Sequence, residues 1–483
     1  MDGKRLKKII REIWPALVLI LFLFLRLPSL FEPFTYGDEG IYLTLGQALR
    51  KGLVFYRDIH DNKPPLIYLL AALAGNFYWY RIIYFFWSLV TLISFYKLAQ
   101  LLFGKNQKAV ILGTFVFTIL TNLHLFEGNV ANAENFMILP TLAAWYMFLK
   151  RRHWFLIGIF FSLAALFKIP AGFDLAAFLV IASLLNKRCF QVFLSSIINT
   201  LLGFFLPIFA TVIYFWSKGA LFVYLNAAFF QNIPYLASWG SPKNQSLGLP
   251  YELLFRGWLV FLITLGIFFL RKKIARPVVL VILWFSFSLF AALLSSRPYP
   301  HYLLQTLPAL SLAWGLFMTN KKPEKLVPLI LSLTFFFTFQ FFHFWHYPNQ
   351  PYYQNFYQFV FGQKSREQYI AHFGQNTQSI YQTAIFIKTH TQNQEKIFVW
   401  GDQPAIYALS DRLPVGRYTV AYHIRDFNGW QETMRAISDN PPRYLILMTE
   451  AKNSFPALSL FIHEKYLLQE HFGQIQIFHK IYQ

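Results

Sequence analysis

The stretch from Trp14 to Tyr42 reads WPALVLILFLFLRLPSLFEPFTYGDEGIY, and it decides the fold class. Its first part, up to Leu25, is an uncharged apolar run. Its last part holds two adjacent carboxylates, Asp38 and Glu39, in a chain with only 22 Asp and Glu among 483 residues. Because acidic side chains are costly in lipid, the stretch predicts a membrane-spanning helix followed by a reaction site at the membrane surface.

The composition extends this prediction to most of the chain. The sequence is 56% hydrophobic, 20% aromatic and 13% charged, whereas a soluble domain carries about 25% charged residues. Apolar runs of roughly twenty residues recur, which is the length of a spanning helix. Since only helices and closed barrels satisfy their backbone in lipid, and these runs do not alternate in polarity as barrel strands do, we expect a polytopic α-helical membrane protein.

Six basic clusters predict its orientation. They are Lys4–Arg11, Lys105–Lys108, Lys150–Arg152, Lys187–Arg188, Arg271–Arg276 and Lys321–Lys325. Placing all six in the cytoplasm satisfies the positive-inside rule and puts the N-terminus inside and the C-terminus outside. The formal net charge of +21 then indicates contact with anionic lipid headgroups rather than nucleic acid.

This orientation predicts about eleven transmembrane helices. They fall near 13–31, 81–103, 108–126, 135–149, 154–168, 171–186, 190–216, 253–270, 277–295, 302–319 and 326–345. The first follows basic residues, as a signal sequence does, but it lacks a small-residue cleavage site and is interpreted as an uncleaved span. The single cysteine, Cys189, excludes an intramolecular disulfide.

The predicted topology brings unusual residues to one face. The outer face receives Asp38, Glu39, Asp61, Lys63, Glu127, Glu134, Lys168, Arg297 and His301. The first outer loop, about 32–80, contains an apolar stretch from Pro64 to Gly75 that is too short to span at about 1.5 Å per residue. We interpret this stretch as a juxtamembrane helix that begins at Pro64 and Pro65. The loop at 218–252, with its Pro-Lys-Asn, is interpreted as a mobile cover over a lipid-facing groove.

The sequence predicts two domains, a transmembrane core over 1–346 and a small extracytoplasmic α/β domain over 347–483. In the tail, 396–400 and 444–448 resemble buried strands, and 430–438 resembles a helix. Trp400, Asp402 and Tyr407 follow the first strand and could reach toward a cavity, although a core role fits Trp400 better. The tail has no dinucleotide-binding glycines, phosphate loop or zinc spacing. We expect it to shape acceptor access without supplying a catalytic base.

Three motifs together resemble a known family. They are Gly37-Asp38-Glu39, Asn62-Lys63-Pro64-Pro65-Leu66, and Arg297-Pro298-Tyr299-Pro300-His301-Tyr302-Leu303 ahead of Leu307-Pro308-Ala309-Leu310. They are similar to motifs of the bacterial polytopic glycosyltransferases of the C superfamily, in the branch of glycosyltransferase family 39, the protein O-mannosyltransferases and the lipid A aminoarabinose transferases. The resemblance covers roughly 1–345 and, more loosely, 399–418.

The resemblance implies an activity and a location. Enzymes of this family take a sugar from a polyprenyl-phosphate carrier and transfer it, with inversion, outside the bacterial cytoplasmic membrane. The implied partners are the lipid-linked sugar, a lipid, glycan or protein acceptor, and membrane lipids, with no nucleic acid. The sequence requires no cofactor, and a divalent cation is compatible with it.

This chemistry needs a carboxylate that orients and deprotonates the acceptor hydroxyl. Asp38 is the candidate base, and it matches the first acid of the family's motif. Glu39 is a candidate for orienting the acceptor or a neighbouring cation. The alternative is that both carboxylates only cap an interfacial turn.

The reaction also needs cations that hold the phosphate and stabilise its charge as it leaves. The candidates are Lys63, Arg297, His301, Tyr302 and Lys168. Arg suits phosphate through its planar fork, and the Tyr hydroxyl can donate a hydrogen bond. The alternatives are a snorkelling lysine, headgroup contact by an arginine at the end of a span, and an ordinary interfacial tyrosine.

Glu134 and Asp61 are candidates for an acceptor contact or a second acidic site. Glu134 matches a second acidic position in the family's second outer loop, where it could contact the acceptor or complete a metal site. Its alternative is a favourable acid at a helix N-terminus.

Two other classes of protein remain open. A transporter or lipid flippase would explain the spans without catalysis, but transporters usually place charges at the bilayer midplane within repeated halves, and no repeat is visible. A surface polysaccharide polymerase or ligase would share the lipid-linked substrate. The catalytic interpretation predicts that Asp38, Glu39, Lys63, Glu134, Arg297 and His301 line one outward-facing cavity.

Overall fold

The structure is a computed structural model that describes residues 3–34, 36–151, 153–186, 189–233, 236, 251–319 and 322–481. Four predicted features lie wholly or partly outside the described residues. They are the basic pair at 187–188, the basic residues at 152 and 321, and the Pro-Lys-Asn of the proposed cover at 242–244.

Helices make up most of the chain, and their bounds follow the apolar runs. The first fourteen are α1 Gly3–Arg26, α2 Gly37–Arg50, α3 Leu66–Ala74, α4 Phe77–Phe103, α5 Gln107–Leu120, α6 Ala133–Leu149, α7 Trp154–Phe167, α8 Gly172–Leu185, α9 Phe190–Ser217, α10 Leu221–Ala228, α11 Tyr251–Leu270, α12 Arg276–Ala292, α13 Leu307–Leu316 and α14 Leu326–Phe341. A 3₁₀ helix, Pro300–Thr306, precedes α13.

The remaining elements belong to the tail. Its helices are α15 Asn349–Val360, α16 Arg366–Ala371, α17 Thr377–His390, α18 Ala405–Ser410, α19 Ala421–Asp426, α20 Trp430–Asp439 and α21 Pro456–Lys465. Its strands are β1 Phe398–Trp400, β2 Tyr444–Met448, β3 Tyr466–Phe472 and β4 Ile475–Lys480. The two predicted strands and the predicted helix of the tail are confirmed.

All eleven predicted spans coincide with helices, but their lengths differ. Within the described residues, five stretches are long and apolar enough to cross a membrane, namely Ile13–Leu30, Phe77–Phe103, Phe190–Ser217, Tyr251–Leu270 and Pro323–Phe341. Shorter apolar helices, such as α5 and α7 with 14 residues each, extend only about 21 Å at 1.5 Å per residue. The number of complete crossings therefore stays a prediction.

The chain contacts divide the molecule into two compact units. Unit 1 comprises Met1–Pro28, Tyr84–Val212 and Ile233–Tyr352. Its core is aromatic, with Trp145 and Trp284 4.9 Å apart and Phe95 stacked on Phe117 at 4.0 Å between ring centroids. By contrast, α11 leaves most of its apolar side chains exposed, which is the pattern of a helix that faces lipid.

Unit 2 comprises Ser29–Ile83, Ile213–Asn232 and Tyr353–Gln483. The predicted first outer loop thus packs with the tail. The side chain of Gln47 on α2 donates to the Ala408 carbonyl at 3.0 Å, and Lys51 pairs with Asp411 at 2.8 Å. The predicted domain boundary at residue 346 lies near the boundary between the units, and the domain assignment stays a prediction.

The sheet of unit 2 has the strand order β1-β2-β4-β3. β1 pairs parallel to β2, with Val399 opposite Ile446, and the other pairs are antiparallel. The β3–β4 hairpin, which the sequence analysis missed, turns at Gly473 with a positive φ of 56°. Most of β3 is exposed, so this strand lacks the apolar run that reveals β1 and β2.

The predicted juxtamembrane helix is present as α3. Pro65 stands at its N-cap, and Gly75 ends it in the left-handed conformation with φ 73°. Leu69 and Leu73 are 53% and 74% exposed on its outer side. Contact of this apolar side with the membrane interface stays a prediction.

A close helix crossing in unit 1 generates a stability prediction. Gly158 on α7 and Gly203 on α9 bring the two backbones together, since a Cβ on Gly158 would overlap the Thr200 carbonyl oxygen. Small residues allow such approaches in membrane helices. We expect Gly158→Ala to lower the free energy of unfolding by about 1–3 kcal/mol through overpacking, measured by thermal unfolding in detergent.

Gly266 on α11 is the matched control, because no atom lies within 4 Å of a Cβ built there. Gly266→Ala should leave stability unchanged or raise it by about 0.5–1 kcal/mol, as alanine does in a helix. Equal stability of the two variants would show that the helices do not cross at Gly158.

Candidate active site

The two adjacent carboxylates lie in the first turn of α2 and have different surroundings. Successive helical residues point about 100° apart. The Asp38 side chain is 23% exposed, whereas Glu39 is completely buried. No side-chain hydrogen bond caps the helix at Tyr36. The helix therefore separates the two acids into one accessible carboxylate and one buried carboxylate.

Asp38 has two polar neighbours. The hydroxyl of Tyr42, one turn further along α2, donates to Asp38 Oδ2 at 3.1 Å. Lys63 Nζ lies 3.6 Å from the same oxygen and 5.1 Å from the centre of the Tyr42 ring. A lysine and a tyrosine thus hold one oxygen of a partly exposed carboxylate.

Lys63 also faces a second acid, Asp61. Its Nζ lies 3.9 Å from Asp61 Oδ2, and Asp61 is fully buried. The Tyr68 hydroxyl and the Asn62 backbone N–H each donate to Asp61 at 2.6 Å. Asp61 is therefore placed to hold Lys63, and its predicted contact with an acceptor stays a prediction.

The charge of Asp61 is stabilised by its neighbours. Burial by itself would raise the pKa of Asp61, but the Lys63 ammonium, His423 and the hydrogen bonds of Tyr68 and Asn62 hold the pKa below its ordinary value. His423 Nε2 lies 3.6 Å from Asp61 Oδ1. Because Asp61 remains ionised, it helps to keep Lys63 in place.

Glu39 forms a buried ion pair with Arg81. Arg81 Nη2 and Nε lie 2.7 and 3.2 Å from Glu39 Oε2. Nη1 of the same guanidinium donates to the carbonyl oxygens of Ser29 and Glu32. Glu39 is thus paired with a cation, and its predicted role in orienting that cation or an acceptor stays a prediction.

A second cluster lies in unit 1 and contains four of the other predicted residues, Glu134, Lys168, His301 and Tyr302. Glu134, in the first turn of α6, pairs with Lys168 at the end of α7. His301, in the 3₁₀ helix, contacts Glu127 through Nδ1 and lies 3.5 Å from Glu134 Oε1 through Nε2. His301 thus bridges two buried carboxylates, Glu127 and Glu134.

Tyr302 and Arg297 belong to the same segment as His301. Lys168 Nζ lies 3.9 Å from the centre of the Tyr302 ring, and Tyr302 packs edge-to-face with His301 at 4.8 Å. Arg297 is half-buried just before the 3₁₀ helix. Tyr302 therefore supports Lys168 with its ring face as a cation–π partner.

The structure resolves the predicted site into two clusters. The first, in unit 2, contains Asp38, Glu39, Asp61 and Lys63, and the second, in unit 1, contains Glu134, Lys168, His301 and Tyr302. Convergence of both clusters on one cavity stays a prediction. Among the residues described, no group of three or more His, Cys, Asp and Glu side chains could hold a metal ion, and the predicted metal role of Glu134 is untested.

Sequence reasoning gave no role to three residues that support these clusters: His423, Arg81 and Glu127. Arg81 carries a sequence signal, because it is a charge near the start of the apolar stretch Phe77–Phe103. Glu127 was placed on the outer face but given no function. His423 has no local signal, since its contact with Asp61 joins distant parts of the sequence.

The tail residues that follow β1 have structural contacts. Trp400 is buried and donates its indole N–H to the Ala451 carbonyl at 2.8 Å. Tyr407 is buried, and its hydroxyl accepts from the Val399 N–H. The exposed Asp402 accepts from the Tyr422 N–H. Trp400 and Tyr407 are therefore core residues of the tail.

The fold defines the class of protein. It is a polytopic helical membrane fold with a small C-terminal sheet. ArnT from Cupriavidus metallidurans bound to undecaprenyl phosphate has this fold, with a TM-score of 0.56 and 12% sequence identity over 96% of this chain and 97% of that chain. The apo state of the same protein gives a TM-score of 0.55, 12% identity and the same coverage.

The resemblance that the sequence motifs indicate is therefore confirmed at the level of the fold alone. No protein-family model and no curated protein sequence matches the chain.

The Glu39–Arg81 pair generates a prediction about stability. Arg81→Met leaves the buried Glu39 carboxylate without its cation, and breaking a buried pair in this way costs about 3–5 kcal/mol. The double variant Glu39→Gln/Arg81→Met should recover part of this loss, as measured by thermal unfolding in detergent. A single variant as stable as the wild type would show that the pair does not hold α2.

His60 generates a prediction about pH. Burial, His423 and Arg417 lower its pKa from 6.5 to about 3, so the folded protein holds His60 neutral. As pH falls from 6.5 toward 3, the unfolded chain takes up a proton that the folded chain refuses, and stability is lost. The loss reaches about 2 kcal/mol between pH 6.5 and 5, since each pKa unit corresponds to about 1.4 kcal/mol.

The matched variant is His60→Gln, which removes the titrating group from a site with aromatic neighbours Tyr418 and Phe427. Its melting temperature should fall less than that of the wild type between pH 7 and pH 5. Parallel pH profiles for the two proteins would contradict a neutral, buried His60.

Proposed function

We propose that the chain is an inverting glycosyltransferase that moves a sugar from a polyprenyl-phosphate carrier to a lipid, glycan or protein acceptor on the outer face of a bacterial cytoplasmic membrane. The observation that carries the proposal is the partly exposed carboxylate of Asp38, 3.6 Å from Lys63, in a chain with the fold of ArnT. The undecaprenyl phosphate bound to that protein supports a polyprenyl-phosphate donor.

Asp38 acts as the general base. The contacts of Tyr42 and Lys63 both engage Oδ2, and we assign Oδ1 to the acceptor hydroxyl. The acceptor oxygen attacks the anomeric carbon as its proton passes to Asp38, and the bond between that carbon and the phosphate oxygen breaks. Attack opposite to the leaving phosphate inverts the anomeric configuration.

The residues that the sequence predicts as phosphate ligands hold the leaving phosphate. Lys63, Lys168 and Arg297 supply positive charge, while His301 and Tyr302 supply hydrogen-bond donors. Lys63 also fixes the orientation of Asp38 through their contact. A cluster that carries both the base and a phosphate ligand would couple acceptor activation to donor binding.

The location follows from the same proposal. The protein is a multi-pass chain of the membrane, with the N-terminus in the cytoplasm and the tail outside. The basic clusters support this orientation through the positive-inside rule. A divalent cation is not part of the proposed mechanism.

The test compares cells that lack the chain with cells that produce the wild type, Asp38→Asn or Asp439→Asn. Asp439 ends α20 and is exposed, so its variant controls for the loss of one carboxylate. Mass spectrometry of lipid-linked and surface glycans should show a product that depends on the wild-type chain. Asp38→Asn should reduce it by about 100-fold or more, with accumulation of the lipid-linked donor.

Lys63→Met separates donor binding from the chemical step. Because Lys63 is assigned to the phosphate, the variant should bind undecaprenyl phosphate more weakly, whereas Asp38→Asn should retain binding. Undiminished product in Asp38→Asn would remove Asp38 from the mechanism. Carrier movement by the wild type without any glycosylated product would favour a lipid-linked glycan transporter.

A further inference from the structure

Asp174 is a buried carboxyl group that the proposed mechanism does not use. It lies in the first turn of α8 and is 1% exposed. In the described part of the chain, no cation lies within ion-pair distance of it. An acid in an apolar interior is costly without strong partners. Asp174 is accommodated there by two side chains that donate hydrogen bonds to it.

Both oxygens of Asp174 accept from neutral side chains. The indole N–H of Trp284, on α12, donates to Oδ1 at 2.6 Å. The side-chain amide of Gln305, in the 3₁₀ helix, donates to Oδ2 at 2.7 Å. Trp284 and Gln305 are both buried. Asp174 therefore joins the start of α8 to two other elements of unit 1.

Gln305 makes a second contact that reaches the break between α7 and α8. Its amide nitrogen also donates to the Pro170 carbonyl at 3.0 Å. Pro170 lies in a short 3₁₀ turn that follows Lys168, and Lys168 has an extended backbone with φ −155° and ψ 125°. Gln305 thus ties the turn after Lys168 to the 3₁₀ helix that carries His301 and Tyr302.

We infer that Asp174 and Gln305 are positioning residues that hold Lys168 beside Glu134 and over the Tyr302 ring. They act through the backbone on which Lys168 stands, by the contact of Gln305 with the Pro170 carbonyl. The assignment of the Lys168 ammonium to the carrier phosphate rests on the proposed function. The placement of Lys168 by this network does not depend on it.

The physical reason is the flexibility of lysine. A long side chain loses conformational entropy when it is held in one geometry, and the loss is smaller when its backbone is already fixed. Beyond the end of α7, the Lys168 carbonyl accepts from the Ala171 N–H at 3.0 Å in the 3₁₀ turn. The amide of Gln305, oriented by Asp174, adds a further restraint on this turn at the Pro170 carbonyl.

The first test needs no ligand. Thermal unfolding in detergent of Lys168→Met, Gln305→Leu and the double variant forms a double-mutant cycle. We expect Lys168→Met to lower the melting temperature less in the Gln305→Leu background, because the Lys168–Glu134 pair is already loosened there. Additive shifts would overturn the inference.

Ser288→Ala provides the control for this cycle. Ser288 is buried on α12, like Trp284, but its hydroxyl donates to the Phe285 carbonyl within the same helix at 3.1 Å. Its effect should add to that of Lys168→Met. If Ser288→Ala coupled to Lys168→Met as strongly as Gln305→Leu does, the coupling would reflect general packing. That result would contradict a specific role for Gln305.

The second test measures the affinity for undecaprenyl phosphate in lipid nanodiscs. Asp174→Asn keeps the size of the side chain but replaces one acceptor by a donor. This variant and Gln305→Leu should bind roughly 10-fold more weakly or worse, as misplaced groups do, while Ser288→Ala should bind like the wild type. If Lys168→Met weakens binding but the two network variants lower the melting temperature with unchanged affinity, the network is purely structural and the inference is overturned. If Lys168→Met itself binds like the wild type, the double-mutant cycle alone decides.

The two tests separate the two proposals. If the wild type does not bind undecaprenyl phosphate, the proposed carrier is wrong, and the double-mutant cycle alone decides whether Asp174 and Gln305 position Lys168. If the wild type binds and the cycle is additive, the proposed function stands and the inference fails.

Discussion

The buried ion pair between Glu39 and Arg81 is the interaction on which the first cluster depends. Arg81 joins Glu39 to the carbonyl oxygens of Ser29 and Glu32, so it connects the chain before α2, the start of α2 and the start of α4. A guanidinium suits this task because its donors form a rigid fork. With α2 fixed at Glu39, the adjacent Asp38 has a defined direction.

The same constraint explains why the chain uses two adjacent acids. In a helix, neighbouring side chains diverge, so one can be buried against Arg81 while the other stays partly exposed beside Lys63. The sequence identifies the pair, but it does not reveal which acid is buried. That assignment depends on the position of Arg81, and the contact between Glu39 and Arg81 joins two different helices.

Much of the fold could be predicted from the sequence, because apolar runs reveal helices and buried strands directly. All eleven predicted spans, α3, β1 and β2 follow such runs, whereas α20 is an amphipathic helix of mostly polar residues. The β3–β4 hairpin could not be found in this way, since the exposed residues of β3 dilute its apolar pattern. Span lengths were also overestimated, because 3₁₀ turns such as His124–Phe126 and Pro300–Thr306 interrupt runs that are apolar in sequence.

The sequence predicts which residue types the candidate site contains, but it predicts only some of the contacts between them. Local motifs give Asp38, Lys63 and His301, because acids, lysines and histidines are conspicuous in an apolar chain. They do not give His423 beside Asp61 or Glu127 beside His301. Those contacts join distant segments, and no spacing rule in a single sequence encodes them.

The charge balance of the two clusters limits how a phosphate could bind. Lys63 already faces two carboxylates, and Lys168 already pairs with Glu134. A phosphate that enters either cluster must therefore share its cation with acids that are present, and each acid opposes it by like-charge repulsion. Binding would be favourable only if the phosphate gained hydrogen-bond donors in addition to the two lysines. The resting carboxylates would then keep the lysines ordered before binding and weaken the hold on the phosphate after transfer, which favours release of the carrier.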